Sequence, residues 1–219
     1  MHIVVKVGGS LEPYKVKLTK LMHTLAELAK EHNLIVVPGG GSFADKVREV
    51  ALTYCVNDLT AHRMAILAMD QYGLFLSSFV RQCIYTYSLA EAKTLASKGV
   101  LCIYLPSREM LFDESLEPSW SVTSDSIAAY IAARCGCRFL ILLKDVDGVF
   151  TDNPKKIAGV SLIREVRASE LSGYGCVDSN LTNYIKRFDL VCWVLNGLKH
   201  WRFKTLLSKG KAAGTRISP

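Results

Sequence analysis

The apolar run Ile3-Val4-Val5 passes through Lys6 and Val7 directly into Gly8-Gly9-Ser10. β-Branched residues bounded by glycines, without polar alternation, read as a buried strand. A strand of that kind needs cover on both faces, and this constrains the fold more than any other stretch of the chain. The paired glycines at its carboxyl end let the backbone come close to a ligand, because no Cβ blocks the approach. A lysine beside a Gly-Gly-Ser turn is a point charge suited to phosphate, with backbone N–H groups as further donors. Alone the motif is common, and its weight comes from three later segments.

Strand-like and helix-like patterns alternate along the chain. Leu18, Leu21, Met22, Leu25 and Leu28 recur at helical spacing through Glu31, and residues 34–37 form a second strand closed by Pro38-Gly39-Gly40-Gly41. Ser42 stands where an N-cap belongs, opening a helix that carries Phe43, Val47 and Val50. Further helices are expected over residues 59–79, 124–134 and 200–208, and further strands over 100–105, 139–143 and 190–195. This order predicts an α/β protein, a three-layer αβα sandwich on a mostly parallel open sheet, with residues 1–219 as one domain. Ligands of such sheets bind beyond the carboxyl ends of the strands, where loops 8–10, 38–42 and 144–154 fall.

Composition removes several classes of protein. Half of the 219 residues are hydrophobic and 21% are charged, which fits a globular chain with one sizeable core. Residues 64–80 are nearly apolar but include Asp70 and Gln71, short of a membrane span. Met1-His2-Ile3 enters a strand with no basic leader, so no membrane partner and a cytoplasmic setting are expected. The seven cysteines are odd in number, Cys135-Gly136-Cys137 lacks the two-residue gap of a zinc ribbon, and no histidine pair completes a metal site. Buried reduced thiols are expected. The net charge of +7 raises nucleic acid as a partner, yet no basic run exceeds Lys155-Lys156 and no aromatics interleave. No nucleic-acid partner is expected; a basic enzyme handling phosphorylated anions explains the charge as well.

Gly39-Gly40-Gly41-Ser42-Phe43-Ala44 formally matches a dinucleotide fingerprint, but Asp58 lies between two helical patterns instead of ending a strand. A glycine loop at a helix start binds phosphate or carboxylate, or is simply a tight turn. The chain has no G-x-x-x-x-G-K-[ST] motif, so a P-loop is excluded. In Trp120-Ser121-Val122-Thr123-Ser124-Asp125-Ser126, Thr123 or Ser124 can cap a helix with Asp125 in its first turn. Capping alone explains these residue types; the functional reading turns Asp125 toward Lys6. The segment from Lys144-Asp145-Val146-Asp147-Gly148 through Val149-Phe150-Thr151-Asp152-Asn153-Pro154-Lys155-Lys156 ends a buried strand in a polar loop. Its length and mixed charge suit a nucleotide, though such loops also serve as surface connections.

Taken in order, these segments resemble the amino acid kinase family, which includes acetylglutamate kinase, aspartokinase, bacterial uridylate kinase and isopentenyl phosphate kinase. The resemblance runs from Lys6-Val7-Gly8-Gly9-Ser10 to Gly214-Thr215-Arg216-Ile217. It implies phosphoryl transfer from ATP with Mg2+ to a carboxylate or phosphate, on the carbamate kinase-like sandwich. Lys6 would stabilise the phosphoryl group in flight, Asp125 would organise Lys6, and Gly8, Gly9, Ser10, Gly39, Gly40, Gly41, Thr123 and Ser124 would surround the phosphates. Asp145, Val146, Gly148, Val149, Phe150, Thr151, Pro154 and Lys156 would hold the nucleotide. Amino-acid-type members carry a second lysine after a Gly-Gly-Met segment, whereas the region here reads Gly173-Tyr174-Gly175-Cys176-Val177-Asp178 and has no lysine until Lys186. Lys144 is the substitute cation, and Val177-Asp178 resembles the Met-Asp of uridylate kinases.

The acceptor side is less uniform. Met64-Ala65-Ile66-Leu67-Ala68-Met69 is similar to a uridylate kinase helix, but His62 stands where that group carries an aspartate. The chain most resembles a smaller branch, the kinases of methanofuran biosynthesis, which convert an aminomethylfuran-methanol phosphate to its diphosphate. Arg48, His62 and Arg63 would then meet the small phosphorylated substrate, in a protein expected to form homo-oligomers. Uridylate or isopentenyl phosphate kinase activity, and a non-catalytic anion-binding protein, are the competing expectations.

Overall fold

The computed structural model describes residues 2–113, 115, 119, 122–154, 156–157, 159–171 and 176–219. Its elements are β1 (His2–Val7), a 3-10 turn (Gly9–Leu11), α1 (Lys15–Ala29), β2 (Asn33–Pro38), α2 (Gly41–Thr53) and α3 (Asp58–Ser77). There follow β3 (Ile84–Thr86), α4 (Leu89–Ser97), β4 (Cys102–Tyr104), α5 (Ser107–Met110), α6 (Ser124–Arg134) and β5 (Phe139–Lys144). The chain closes with β6 (Glu165–Arg167), α7 (Leu181–Arg187), β7 (Val191–Asn196), α8 (Trp201–Lys209) and β8 (Thr215–Ser218).

The strands form a sheet in the order β3-β4-β2-β1-β5-β7-β8-β6. Among the described pairings of these strands only β7 with β8 is antiparallel, alongside an isolated antiparallel bridge between Phe150 and Leu162. Strands buried on both faces explain the continuous apolar runs: Val4 packs in the cluster with Ile127 and Ile131 of α6, while Val5 and Val7 join Leu18, Leu21 and Leu25 of α1. β1 lies between β2 and β5, so the chain leaves it toward opposite edges and the strand order reverses there. That reversal is where an open α/β sheet forms its crevice.

Most expected elements stand within one or two residues of their sequence bounds, and α6 matches end to end. Three differences have physical causes. β8 runs antiparallel to β7, a pairing invisible to a βα alternation rule. Short elements such as β3, β6, α4 and α7 carry too few residues for a period to register. Ser42 is not the N-cap of α2: the helix begins at Gly41, its N-cap is Gly40 without a side-chain cap bond, and Gly41 sits at φ +56°, open to glycine at little cost. The thiols also divide. Cys102, Cys135, Cys137 and Cys192 are buried as expected, but Cys83 and Cys176 are only partly buried. Cys55 is exposed, in the connection between α2 and α3.

Leu21 is fully buried beneath the sheet, so Leu21→Ala should cost about 2–5 kcal/mol, read as a lower midpoint in urea unfolding with an unchanged slope.

Candidate active site

Lys6 lies one residue before the end of β1, with Val37 on one side and Leu142 on the other. Alternation sends its side chain to the α6 face, where Asp125 occupies the first turn of that helix. Lys6 Nζ donates to Asp125 Oδ1 at 2.8 Å, and Lys144 Nζ, from the end of β5, donates to Asp125 Oδ2 at 2.5 Å. Lys6 is 4% exposed and Asp125 2%. One carboxylate therefore holds two ammonium groups, one on each oxygen.

The titration directions follow from that geometry. Burial alone would raise the Asp125 carboxyl, but Lys144 and Lys6 hold it well below the ordinary aspartate range. Burial lowers the Lys6 ammonium, with Lys144 adding repulsion and Asp125 opposing both. For Lys144 burial pulls down as well, but the attraction and hydrogen bond of Asp125 outweigh it and the group is raised. By formal charge the trio carries +1 in a largely desolvated setting, which favours an anion placed against it.

A cleft of about 590 Å³ opens over this trio, walled by Gly8, Gly9, Ser10, Gly40, Gly41, Thr123 and Ser124. Gly9 and Gly41 touch: a Cβ on Gly9 would fall 2.3 Å from Gly41 N, so the two turns close only with glycine there. Tyr72 Oη donates to the Gly8 carbonyl at 3.2 Å and fixes the first turn from below. Two of the expected glycine donors are already committed. Gly8 N–H binds the Leu143 carbonyl and Gly39 N–H binds the Val7 carbonyl, so Gly39 is buried packing and not part of the cleft wall.

Two carboxylates, Glu12 on the cleft wall and Asp178 behind it, have roles that the sequence reading does not assign. Glu12 accepts from Ser42 N at 2.6 Å and from Ser42 Oγ at 2.7 Å, placing a carboxylate at the start of α2. Asp178 accepts from the N–H and hydroxyl groups of both Thr123 and Ser126, and from Leu181 N. It thereby consumes donors at the start of α6, and burial, reinforced by Asp125, raises its carboxyl despite those bonds. A carboxylate in the segment that lacks the second lysine was the available signal for it. Gly173, Tyr174 and Gly175 of that segment, with Trp120, Ser121 and Lys155, lie outside the described residues.

On the acceptor side, Arg48 lines the cleft and pairs with Asp45 at 2.7 Å. His62 is buried beside it in an adjoining recess. Arg63 is directed elsewhere: its Nε donates to the Leu111 carbonyl at 3.1 Å and its guanidinium lies 4.9 Å from the centre of the Phe112 ring. Lys144, the expected substitute cation, lines the cleft, whereas none of the described residues expected to hold the nucleotide, from Asp145 to Lys156, does. Val149 N and Gly148 pack on Thr215, Phe150 bridges Leu162, and Thr151 pairs with Ser161. Asp145 and Val146 precede these contacts, and Pro154 and Lys156 lie in the turn beyond, where Lys156 N binds the Asn153 carbonyl. The loop is anchored by Asp147, which binds Asn196, Lys199 and Arg202. Among the described residues no three His, Cys, Asp or Glu side chains converge as a metal site.

An αβα sheet that gathers two lysines and glycine turns at its switch point is built to handle phosphoryl groups. The model of the amino acid kinase family matches residues 1–185. The [5-(aminomethyl)furan-3-yl]methyl phosphate kinase of Methanocaldococcus jannaschii is 34% identical over 219 residues, covering 99% of this chain and 97% of the relative. The uridylate kinase of Pyrococcus abyssi is 25% identical over the whole of both chains. Among solved structures, the uridylate kinase of Archaeoglobus fulgidus superposes over both full chains with a TM-score of 0.78 at 20% identity, which shows the shared fold. The UMP kinase of Bacillus anthracis gives 0.76 at 16% identity, covering 99% of this chain and 95% of its own. The chain belongs to the amino acid kinase family and is a phosphotransferase.

Because the folded Asp125 carboxyl lies below its ordinary value of 3.8, its contribution is complete above that value and is lost as pH falls beneath it. Asp125→Asn strands the buried Lys6 and the partly buried Lys144 and should cost about 3–5 kcal/mol at neutral pH. Urea unfolding at pH 7 and pH 3 should show the gap between variant and wild type narrowing at the lower pH.

Proposed function

We propose that this kinase transfers the γ-phosphoryl group of MgATP to a small phosphomonoester, and that the acceptor is [5-(aminomethyl)furan-3-yl]methyl phosphate. The observation that carries the reaction class is the Lys6–Asp125–Lys144 clamp, with its net positive charge facing a glycine-walled cleft. The acceptor is taken from the substrate named for the M. jannaschii relative. An oxygen of the acceptor phosphate attacks the γ-phosphorus, the bond to the β–γ bridging oxygen breaks, and ADP and a diphosphate result. Such a transfer needs little covalent help from the protein, so positioning and charge neutralisation carry it. Lys6 and Lys144 neutralise charge spreading over the transferred group, and Asp125 keeps their ammonium groups in place. Both oxygens of Asp125 are taken by lysines, so it is not free to hold Mg2+, which would come as part of the MgATP substrate and would supply further charge neutralisation. A cytoplasmic setting fits free thiols and the lack of any described helix long and apolar enough to cross a membrane.

The test is ATP turnover with the furan phosphate, UMP and isopentenyl phosphate, with products identified by phosphorus NMR. A diphosphate from the furan phosphate, at the highest kcat/KM of the three, is expected. UDP as the preferred product would overturn the acceptor, and no diphosphate from any of them would favour a binding protein. Lys6→Ala should lower kcat by about a hundredfold or more, and an excess of EDTA should stop turnover. An intact kcat in Lys6→Ala, with only nucleotide affinity changed, would remove Lys6 from its role.

A further inference from the structure

We infer that Glu12 determines specificity by charge: its carboxylate pairs with an ammonium group on the acceptor and turns away phosphomonoesters that are wholly anionic. The inference rests on the aminomethylfuran reading above and deepens it. Three carboxylates stand on the cleft wall, together with Lys6, Arg48 and Lys144. Asp125 has a lysine on each oxygen, and Asp45 pairs with Arg48 at 2.7 Å. Glu12 differs from both. Its Oε1 accepts from Ser42 Oγ and its Oε2 from Ser42 N, and among the described residues it has no cationic partner.

A carboxylate without a counterion opposes every phosphate that enters the cleft. Holding the start of α2 does not require that charge, because a neutral side-chain oxygen serves as a cap equally well. The carboxylate also has capacity to spare. Its two oxygens offer about four acceptor sites, of which Ser42 occupies one on each oxygen. Glu12 is half-buried against Gly41, where a Cβ would fall 2.5 Å from Oε2, so the glycine keeps room for the carboxylate at the wall. An aminomethylfuran phosphate carries both signs of charge, a phosphate for Lys6 and Lys144 and an ammonium that complements Glu12. UMP and isopentenyl phosphate bring no cation, so the same carboxylate repels them. Attraction for one acceptor and repulsion of its competitors then come from one residue.

Steady-state kinetics of wild type and Glu12→Gln test this, with the amine-bearing furan phosphate and its counterpart carrying methyl in place of aminomethyl. Glutamine keeps the size and an acceptor oxygen for Ser42 and loses the charge. Wild type should prefer the amine by about tenfold in kcat/KM, mainly through KM, and Glu12→Gln should bring the ratio near one. A loss falling equally on both furans would leave Glu12 a cap for α2 and overturn the inference, as would a wild type with no preference. Either result leaves the proposed function standing. A Mg2+ requirement raised equally for both furans would assign the carboxylate to the metal and overturn the inference too. Turnover of UMP and neither furan would overturn both. Should Glu12→Gln not fold, Glu12→Asp decides the matter, since it keeps the charge but draws it back by one methylene. Its preference should fall below that of wild type; an unchanged ratio would overturn the inference.

Discussion

The rest of the site depends on one carboxylate. Asp125 is almost wholly buried, and each of its oxygens holds a lysine from a different strand. Two ammonium groups brought this close in a desolvated setting would repel strongly; Asp125 between them makes the pair tolerable without cancelling its charge. The arrangement also fixes α6 against the sheet, since Asp125 lies in that helix's first turn and Lys6 within β1. Stability and charge placement are therefore the same interaction, and a substitution at Asp125 acts on both.

A second layer of carboxylates disposes of helix starts that would otherwise draw anions. Asp178 takes donors from Thr123 and Ser126 at the beginning of α6, and Glu12 takes Ser42 at the beginning of α2. Both carboxylates sit where the helix dipole favours negative charge. Their effect is to leave the lysines as the strongest positive charge on the cleft floor, so attraction for a phosphate is concentrated where Lys6 and Lys144 converge. Gly8 and Gly39 fit the same pattern, for their N–H groups are spent on neighbouring strands. Glycine serves here mainly by letting two turns touch.

Much of this was legible in the sequence because strong local signals mark it. β-Branched runs gave β1, β2 and β5, and the pairing of Asp125 with Lys6 followed from placing a helix start beside a strand end. The segment from Thr123 to Arg134 needed nothing beyond periodicity and a cap. What escaped was non-local. Glu12 reaches Ser42 across thirty positions, and Asp178 reaches Thr123 across fifty-five, so neither contact leaves a local pattern. Arg63 was misplaced for the opposite reason: as a helical neighbour of His62 it shared the motif, but successive helix positions face different ways, and its guanidinium meets the Leu111 carbonyl and Phe112. The described contacts of the loop from Asp145 to Lys156, whose length and charge suit a nucleotide, are mostly with Thr215, Leu162, Ser161 and the partners of Asp147, all outside its own motif.

The position of Lys144 carries a consequence of its own. In the amino-acid-type members of the family the second lysine follows a glycine-rich segment, whereas Lys144 is the final residue of β5, the strand beside β1. Lys144 lies two residues beyond Leu142, the register partner of Lys6, so the relative placement of the two lysine backbones is set by the sheet and not by a loop. A cation fixed by the sheet needs no closure of a segment to be in place, and the site's charge is preorganised before any substrate arrives. The cost is adaptability. A pair of lysines anchored to adjacent strands and a single carboxylate suits an acceptor whose phosphate always lands at the same point.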